Sequence, residues 1–80
     1  MRIRVTKNDI KNGNRCDCSA CPVALALTRQ LKRKAEVGIS RWGYPHAAYR
    51  RYELPEHIRT FIHRFDNQKP VKPTSFTIQV

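Results

Sequence analysis

Cys16, Cys18 and Cys21 stand close together as C-x-C-x-x-C. Thiolates at that spacing are the ligand type of a tetrahedral zinc site, but such a site needs a fourth ligand. Outside the triplet, His46, His57 and His63 are the residues that would have to supply it. Paired C-x-x-C knuckles would specify a metal, whereas a single triplet does not, and small thiols are among the side chains most often simply buried. The reading is therefore a fold with no bound metal and no cofactor. Cys21 packs at a helix start, and Cys16 and Cys18 lie in a loop as reduced thiols. Cys21 at a helix N-terminus near Arg15 has the setting of a lowered thiol pKa. A nucleophile also needs a positioned base, and no motif around any histidine provides one. The same loop, with helix N–H groups and Arg15, has the makings of a phosphate cradle; the commoner outcome is an ordinary capped helix start.

Other catalytic patterns are missing. There is no phosphate-loop glycine signature, no paired carboxylates and no serine-nucleophile motif. His57 and His63 fall among Arg59 and Arg64 on what reads as a solvated basic helix face. With six acidic residues, mostly at caps and turns, the sequence argues against an enzyme.

Charge makes the stronger statement. Sixteen Lys and Arg against six Asp and Glu give a formal net charge of +10, which favours a polyanionic partner. Eighty residues make one domain, 1–80; a chain of this size buries only about 60% of its unfolded surface, so the core is thin. An odd number of crowded cysteines speaks for a reducing, cytoplasmic setting rather than a disulfide scaffold. No apolar leader core follows the first arginines, and no apolar run nears the ~20 residues of a membrane span, so neither export nor insertion is expected.

The elements that must position these residues follow from periodicity. Pro22 opens a helix that runs through VALALTRQLKRK to Lys34, with Cys21 or Ser19 as its cap. Before it, Met1–Thr6 alternates as a half-buried strand with Ile3 and Val5 inward. Thr6-Lys7-Asn8-Asp9 then reads as a capping signal for a helical turn over Lys7–Lys11, anchored by Ile10 and stopped at Gly13. After the central helix, Val37 and Ile39 alternate with Gly38, Ser40 and Trp42, and Gly43-Tyr44-Pro45-His46 is turn chemistry. Hairpin pairing centred there sets Val37 opposite Tyr52, Ile39 opposite Arg50 and Ser40 opposite Tyr49, with Ala48, Tyr52 and Leu54 on the core face; Arg50 fits that register poorly. Pro55-Glu56 starts a second helix with Ile58, Phe61, Ile62 and Phe65 on one stripe, Leu54 as a staple and Asn67 as C-cap. An extended Gln68–Thr74 connection leads to a last strand carrying Phe76, Ile78 and Val80.

The order strand, helix, strand, strand, helix, strand is that of the ferredoxin-like split βαβ fold: a four-stranded antiparallel sheet with two helices on one face. A three-stranded α+β unit with an irregular edge is the competitor. In the ferredoxin-like arrangement the open face shows Arg2, Arg4, Ser40, Trp42, Tyr49, Arg51, Thr77 and Gln79. Rings interleaved with arginines suit single-stranded nucleic acid, because bases stack on rings while phosphates pair with guanidinium groups. The candidate binding residues are thus Arg2, Arg4, Trp42, Tyr49 and Arg51, with Arg29, Lys32 and Arg33 at the end of the central helix. The alternative is that Trp42 and Tyr49 merely cover the hairpin. The glycine-aromatic signature of an RNA-recognition motif is absent.

The segment CPVALAL, preceded by V-T-x-x-D-I-x-N-G and followed by YELPEHIRTFIHRFD, resembles a group of small uncharacterised bacteriophage-encoded proteins. The resemblance implies a cytoplasmic protein acting in an infected bacterium. It carries over no activity and no catalytic residue. It adds a rival to nucleic-acid binding: an inhibitor whose basic face meets an acidic surface on a host protein or nucleoprotein complex of defence, transcription or replication.

Overall fold

The computed structural model describes residues 1–45 and 50–79. Tyr49, the expected core positions Ala48 and Val80, and His46 lie outside the described residues. The elements run β1 (Arg2–Val5), α1 (Lys7–Asn12), α2 (Pro22–Leu31), β2 (Glu36–Val37), β3 (Arg41–Gly43), β4 (Arg51–Glu53), α3 (Glu56–Asp66) and β5 (Thr74–Thr77). They form an α+β fold with two antiparallel sheets among the described residues, one of β1 and β5 and one ordered β2-β3-β4. The expected four-stranded ferredoxin-like sheet is therefore not formed.

The reason lies at the edge of β1. In a split βαβ sheet this strand would be central and paired on both sides. Here one side pairs with β5, Ile3 opposite Phe76. On α2, Gln30 engages the Arg4 peptide: its Oε1 accepts the Arg4 N–H at 2.9 Å and its Nε2 donates to the Arg4 carbonyl at 2.7 Å. A side-chain amide thus makes both bonds that a neighbouring strand would make, satisfying this backbone without a ladder.

The second departure is in the middle hairpin. Gly38-Ile39-Ser40 is a tight turn, closed by the Gly38 N–H to the Arg41 carbonyl at 2.7 Å, so the expected single strand is two. Val37 pairs with Trp42, and Trp42 in turn with Tyr52. A continuous strand with Val37 and Ile39 inward must point Trp42 outward. The turn instead lets Val37 and Trp42 share the core face, and Ile39 goes to solvent, 84% exposed. Burying an aromatic side chain of about 150–250 Å² is worth roughly 4–6 kcal/mol at 25 cal/mol per Å², against about 1.5–3 for isoleucine. The tryptophan therefore decides the register. Trp42 is 1% exposed, and Tyr52, expected in the core, lies over it at 38%.

The helices follow their sequence signals closely. Thr6 and Asp9 form the capping box of α1, and Cys21 caps α2, its Sγ accepting the Ala24 N–H at 3.4 Å. The basic run does not extend α2 to Lys34. The helix stops at Leu31 with Lys32 left-handed at φ 55°, and the Ala35 N–H turns back to Thr28 Oγ1 at 3.0 Å. Buried Ala35 draws the chain inward there, ahead of β2. In α3, Ile58, Phe61 and Ile62 are buried and Phe65 half-buried, with Asn67 at the C-cap. Leu54 is buried beside this helix start, as expected of a staple residue.

The core joins Ile3, Val5, Val23, Leu27, Trp42 and Ile58 with Phe61, Ile62, Phe76 and further residues from both sheets and from α2 and α3. Truncation at its aromatic centre should be severe. Phe61→Ala and Trp42→Ala should each cost about 3–5 kcal/mol in chemical denaturation, while His63→Ala, on the exposed side of α3, should cost little. A small loss at Trp42 would refute the hairpin register described here.

Candidate nucleic-acid interface

The predicted binding residues divide between surface and interior. Arg2 and Arg4 project from one face of β1, both exposed, and Arg2 is held there by Nε and Nη2 donating to Ser75 Oγ at 3.1 and 2.9 Å. Arg29 does structural work: its guanidinium pairs with Asp9 and donates to the Arg4 carbonyl at 3.1 Å. Lys32 and Arg33 are exposed just beyond α2, and the Arg33 guanidinium carbon sits 3.9 Å above the Tyr44 ring centroid. That cation–π contact orders the arginine and leaves it at the surface.

Trp42 is buried and offers no stacking face to a base, contrary to its expected place on an open sheet. It is the middle of an aromatic row instead. Tyr44 meets it edge-on with centroids 5.6 Å apart, and Tyr52 stacks on it at 4.9 Å and 28°. Tyr52, missed by the sequence reading, is the ring this row shows to solvent. It borders a cleft of about 430 Å³ between β4 and the end of β5, shared with Arg51, Glu53, Thr77 and Gln79. The direct pairing of Tyr52 with Trp42 would have revealed it, had the turn at Gly38 been recognised. Arg51 thus belongs to this cleft and not to a sheet shared with Arg2 and Arg4.

The cysteine loop is built as a junction. Asp17 Oδ1 accepts the N–H groups of Ser19 and Ala20 at 3.0 and 3.1 Å and the Ser19 hydroxyl at 3.0 Å. These bonds, those from Ser19 foremost, hold the half-buried Asp17 carboxyl below its ordinary value. The Cys18 carbonyl accepts the Val37 N–H at 2.7 Å, and the Cys16 N–H donates to Asp66 Oδ1 at 2.9 Å. Gly13 must be glycine for contact reasons: a Cβ there would lie 2.6 Å from Pro22 Cδ. Cys16 and Cys18 are exposed free thiols, and Cys21 is buried. Burial pushes the Cys21 thiol up, the opposite of the activation that its helix-start position suggested. Among the described residues no three His, Cys, Asp or Glu side chains are grouped as metal ligands, and no helix is long and apolar enough to cross a membrane.

A further surface depression lies elsewhere. A groove of about 840 Å³ runs between the Gly13–Arg15 segment and the chain from Phe65 to Val71. Sequence patterning gave no sign of it, since it joins two irregular segments far apart in the chain.

Comparison with protein-family models, with curated proteins and with solved structures finds no match to this chain.

The thiol assignments have a direct chemical test. Under native conditions a maleimide should label Cys16 and Cys18 and spare Cys21 until the protein is unfolded. The buried thiol also has a pH signature. Its folded pKa is raised, so the unfolded chain loses the proton first as pH rises. The stability it contributes is whole below the ordinary thiol value of 9.0 and declines as pH climbs from there to the folded value. Denaturation between neutral and alkaline pH should show this decline reduced in Cys21→Ala. Asp17 acts at the other end: its contribution is present above 3.8 and falls away as pH drops through its lowered folded value.

Proposed function

We propose that this chain is a small basic protein that binds single-stranded nucleic acid with little sequence preference. One observation carries the reading: the three aspartates are drawn into the framework, and the cations, which far outnumber the exposed Glu53 and Glu56, face water. Asp9 is buried against Arg29, Asp17 holds the Ser19 turn, and Asp66 holds the Cys16 amide. Arg2, Arg4, Lys7, Lys11, Arg15, Lys32, Arg33 and Lys34 are all exposed. A net charge of +10 is thus available to a phosphate chain. With Trp42 inside, affinity comes chiefly from phosphate pairing, and Tyr52 contributes a ring face. Such binding occurs in an infected bacterial cell, as the resemblance to small phage proteins implies.

Anisotropy of a labelled oligothymidylate over a range of salt concentrations tests this. Affinity should fall steeply with salt, by a slope of about 0.7 per phosphate contact on single strands. Arg4→Gln and Lys32→Gly should each flatten that slope, and glycine suits the left-handed position of Lys32. Tyr52→Leu should weaken binding by roughly 5- to 150-fold and leave the slope unchanged. No affinity at low salt would overturn the proposal.

One feature favours the rival protein partner. Ile39 stands 84% exposed at the β2–β3 turn, beside a cleft of about 310 Å³ lined by Val37, Ile62 and Cys21. An apolar tip next to an apolar cleft suits a protein surface better than a phosphate chain. A pull-down from infected lysate that retains a partner after nuclease treatment, lost in Ile39→Ser, would support the host-factor inhibitor.

A further inference from the structure

We infer that the groove between Gly13–Arg15 and Phe65–Val71 is a nucleotide subsite, which takes one unstacked base and its phosphate. The inference rests on the nucleic-acid reading above and assigns it a place. Ile10, Phe65 and Val71 give the groove an apolar floor, each half-buried, with Ile10 and Val71 packed at the margin of the core. Arg15 and Lys69 stand at its rim, both exposed, and among the described residues no carboxylate lines it. Asp66, the next residue after Phe65, is directed to the other side, where it accepts the Cys16 N–H and lines the cysteine cleft.

The lining matches a nucleotide part by part. A base needs an aromatic or apolar face, which Phe65 supplies. Its edge needs groups that both donate and accept, and the exposed side-chain amides of Asn14 and Gln68 border the groove. The phosphate needs cations, and Arg15 and Lys69 are placed for it. The volume of about 840 Å³ exceeds that of a single nucleotide, so the neighbouring backbone has room to leave along the open groove. An acidic peptide would use the two cations but has no use for an aromatic floor edged by amides.

The two walls are fixed to one another. The Cys16–Asp66 hydrogen bond ties the loop after α1 to the end of α3, and the Asn14 N–H donates to the Ala20 carbonyl at 2.8 Å. On the opposite wall the Lys69 N–H returns to the Arg64 carbonyl at 2.8 Å, and the Arg64 guanidinium holds the Pro70 carbonyl. The groove is therefore formed before a ligand arrives, which lowers the ordering needed on binding.

The test uses the full chain, amide NMR, uridine monophosphate and inorganic phosphate. The nucleotide should shift the amides of Asn14, Arg15, Phe65, Gln68 and Lys69, and phosphate alone those of Arg15 and Lys69. Phe65→Leu, which keeps an apolar side chain, should weaken oligothymidylate binding about tenfold with little change in salt slope. Arg15→Gln with Lys69→Gln should flatten the slope by about 1.4. Gln68→Gly removes one amide at a left-handed position, φ 62°, that glycine occupies freely, so its weaker nucleotide binding would not reflect misfolding. Nucleotide shifts clustered elsewhere, or unchanged oligonucleotide affinity in Phe65→Leu, would overturn the subsite while leaving nucleic-acid binding intact. Loss of all oligonucleotide binding in the unaltered protein would remove both. Polyglutamate occupying the same amides with equal affinity would assign the groove to a protein partner and overturn the inference.

Discussion

Asp9 is the buried charged side chain on which the arrangement of β1, α1 and α2 depends. Its Oδ2 accepts the Thr6 N–H at 2.8 Å and the Thr6 hydroxyl at 3.0 Å, and its Oδ1 pairs with Arg29. A buried carboxylate is strongly unfavourable unless its lone pairs are engaged, and here both oxygens are. The consequence reaches past the pair. Arg29, held by Asp9, donates to the Arg4 carbonyl, and its neighbour Gln30 engages both polar groups of the same peptide. One carboxylate thereby fixes the start of α1, the end of α2 and the edge of β1. The two-sheet topology follows, because the edge that a third strand would need is already occupied.

The cysteine-rich stretch serves a comparable end by different means. Its polar groups converge on backbone: Asp17 on Ser19 and Ala20, Cys18 on Val37, Cys16 on Asp66. Each bond joins the stretch either to itself or to β2 and α3. Three crowded thiols thus mark a crossing of chain segments, in which small side chains allow close approach, as Gly13 does against Pro22. The same bonds hold Asp17 and Asp66 in place while their charge remains, Asp17 also feeling the attraction of Lys34. The three aspartates thus satisfy amides and the Arg29 guanidinium, and the excess of cations lies at the surface.

Much of this was legible in the sequence. The capping box at Thr6 and Asp9, the proline start of α2, the α3 stripe and the inward alternation of Ile3 and Val5 all depend on residues within a few positions of each other. Local chemistry decides such features. What could not be read depends on competition between distant or unequal groups. Alternation assigned Ile39 inward and Trp42 outward, and burial of the larger ring reversed both by way of a turn. Strand count and order suggested one sheet, and a glutamine twenty-six residues from its partner prevented it. The basic end of α2 read as helix because propensity sums over a window, whereas the fold needed Ala35 inside. The candidate site shared this fate: Arg2, Arg4, Lys32 and Arg33 are at the surface as expected, while Trp42 is exchanged for Tyr52 and Arg29 belongs to the framework.

Left-handed backbone marks the places where helices end and the chain turns, as it commonly does at helix C-termini. Among the described residues Cys16, Lys32 and Gln68 are left-handed without being glycine. Each such residue costs on the order of 1 kcal/mol, in a domain whose total stability is about 5–15 kcal/mol. Lys32 is part of the exposed basic end of α2. Cys16 adjoins Arg15 at the rim of the groove between Gly13–Arg15 and Phe65–Val71, and Gln68 lines that groove beside Lys69. Glycine would relieve all three positions, but it would remove a cation at the first and an amide at the last. Cys16 and Gln68 thus set polar groups beside a groove edged by Arg15 and Lys69. The interior explains how this chain folds; these strained, polar margins are where its basic surface acquires a shape.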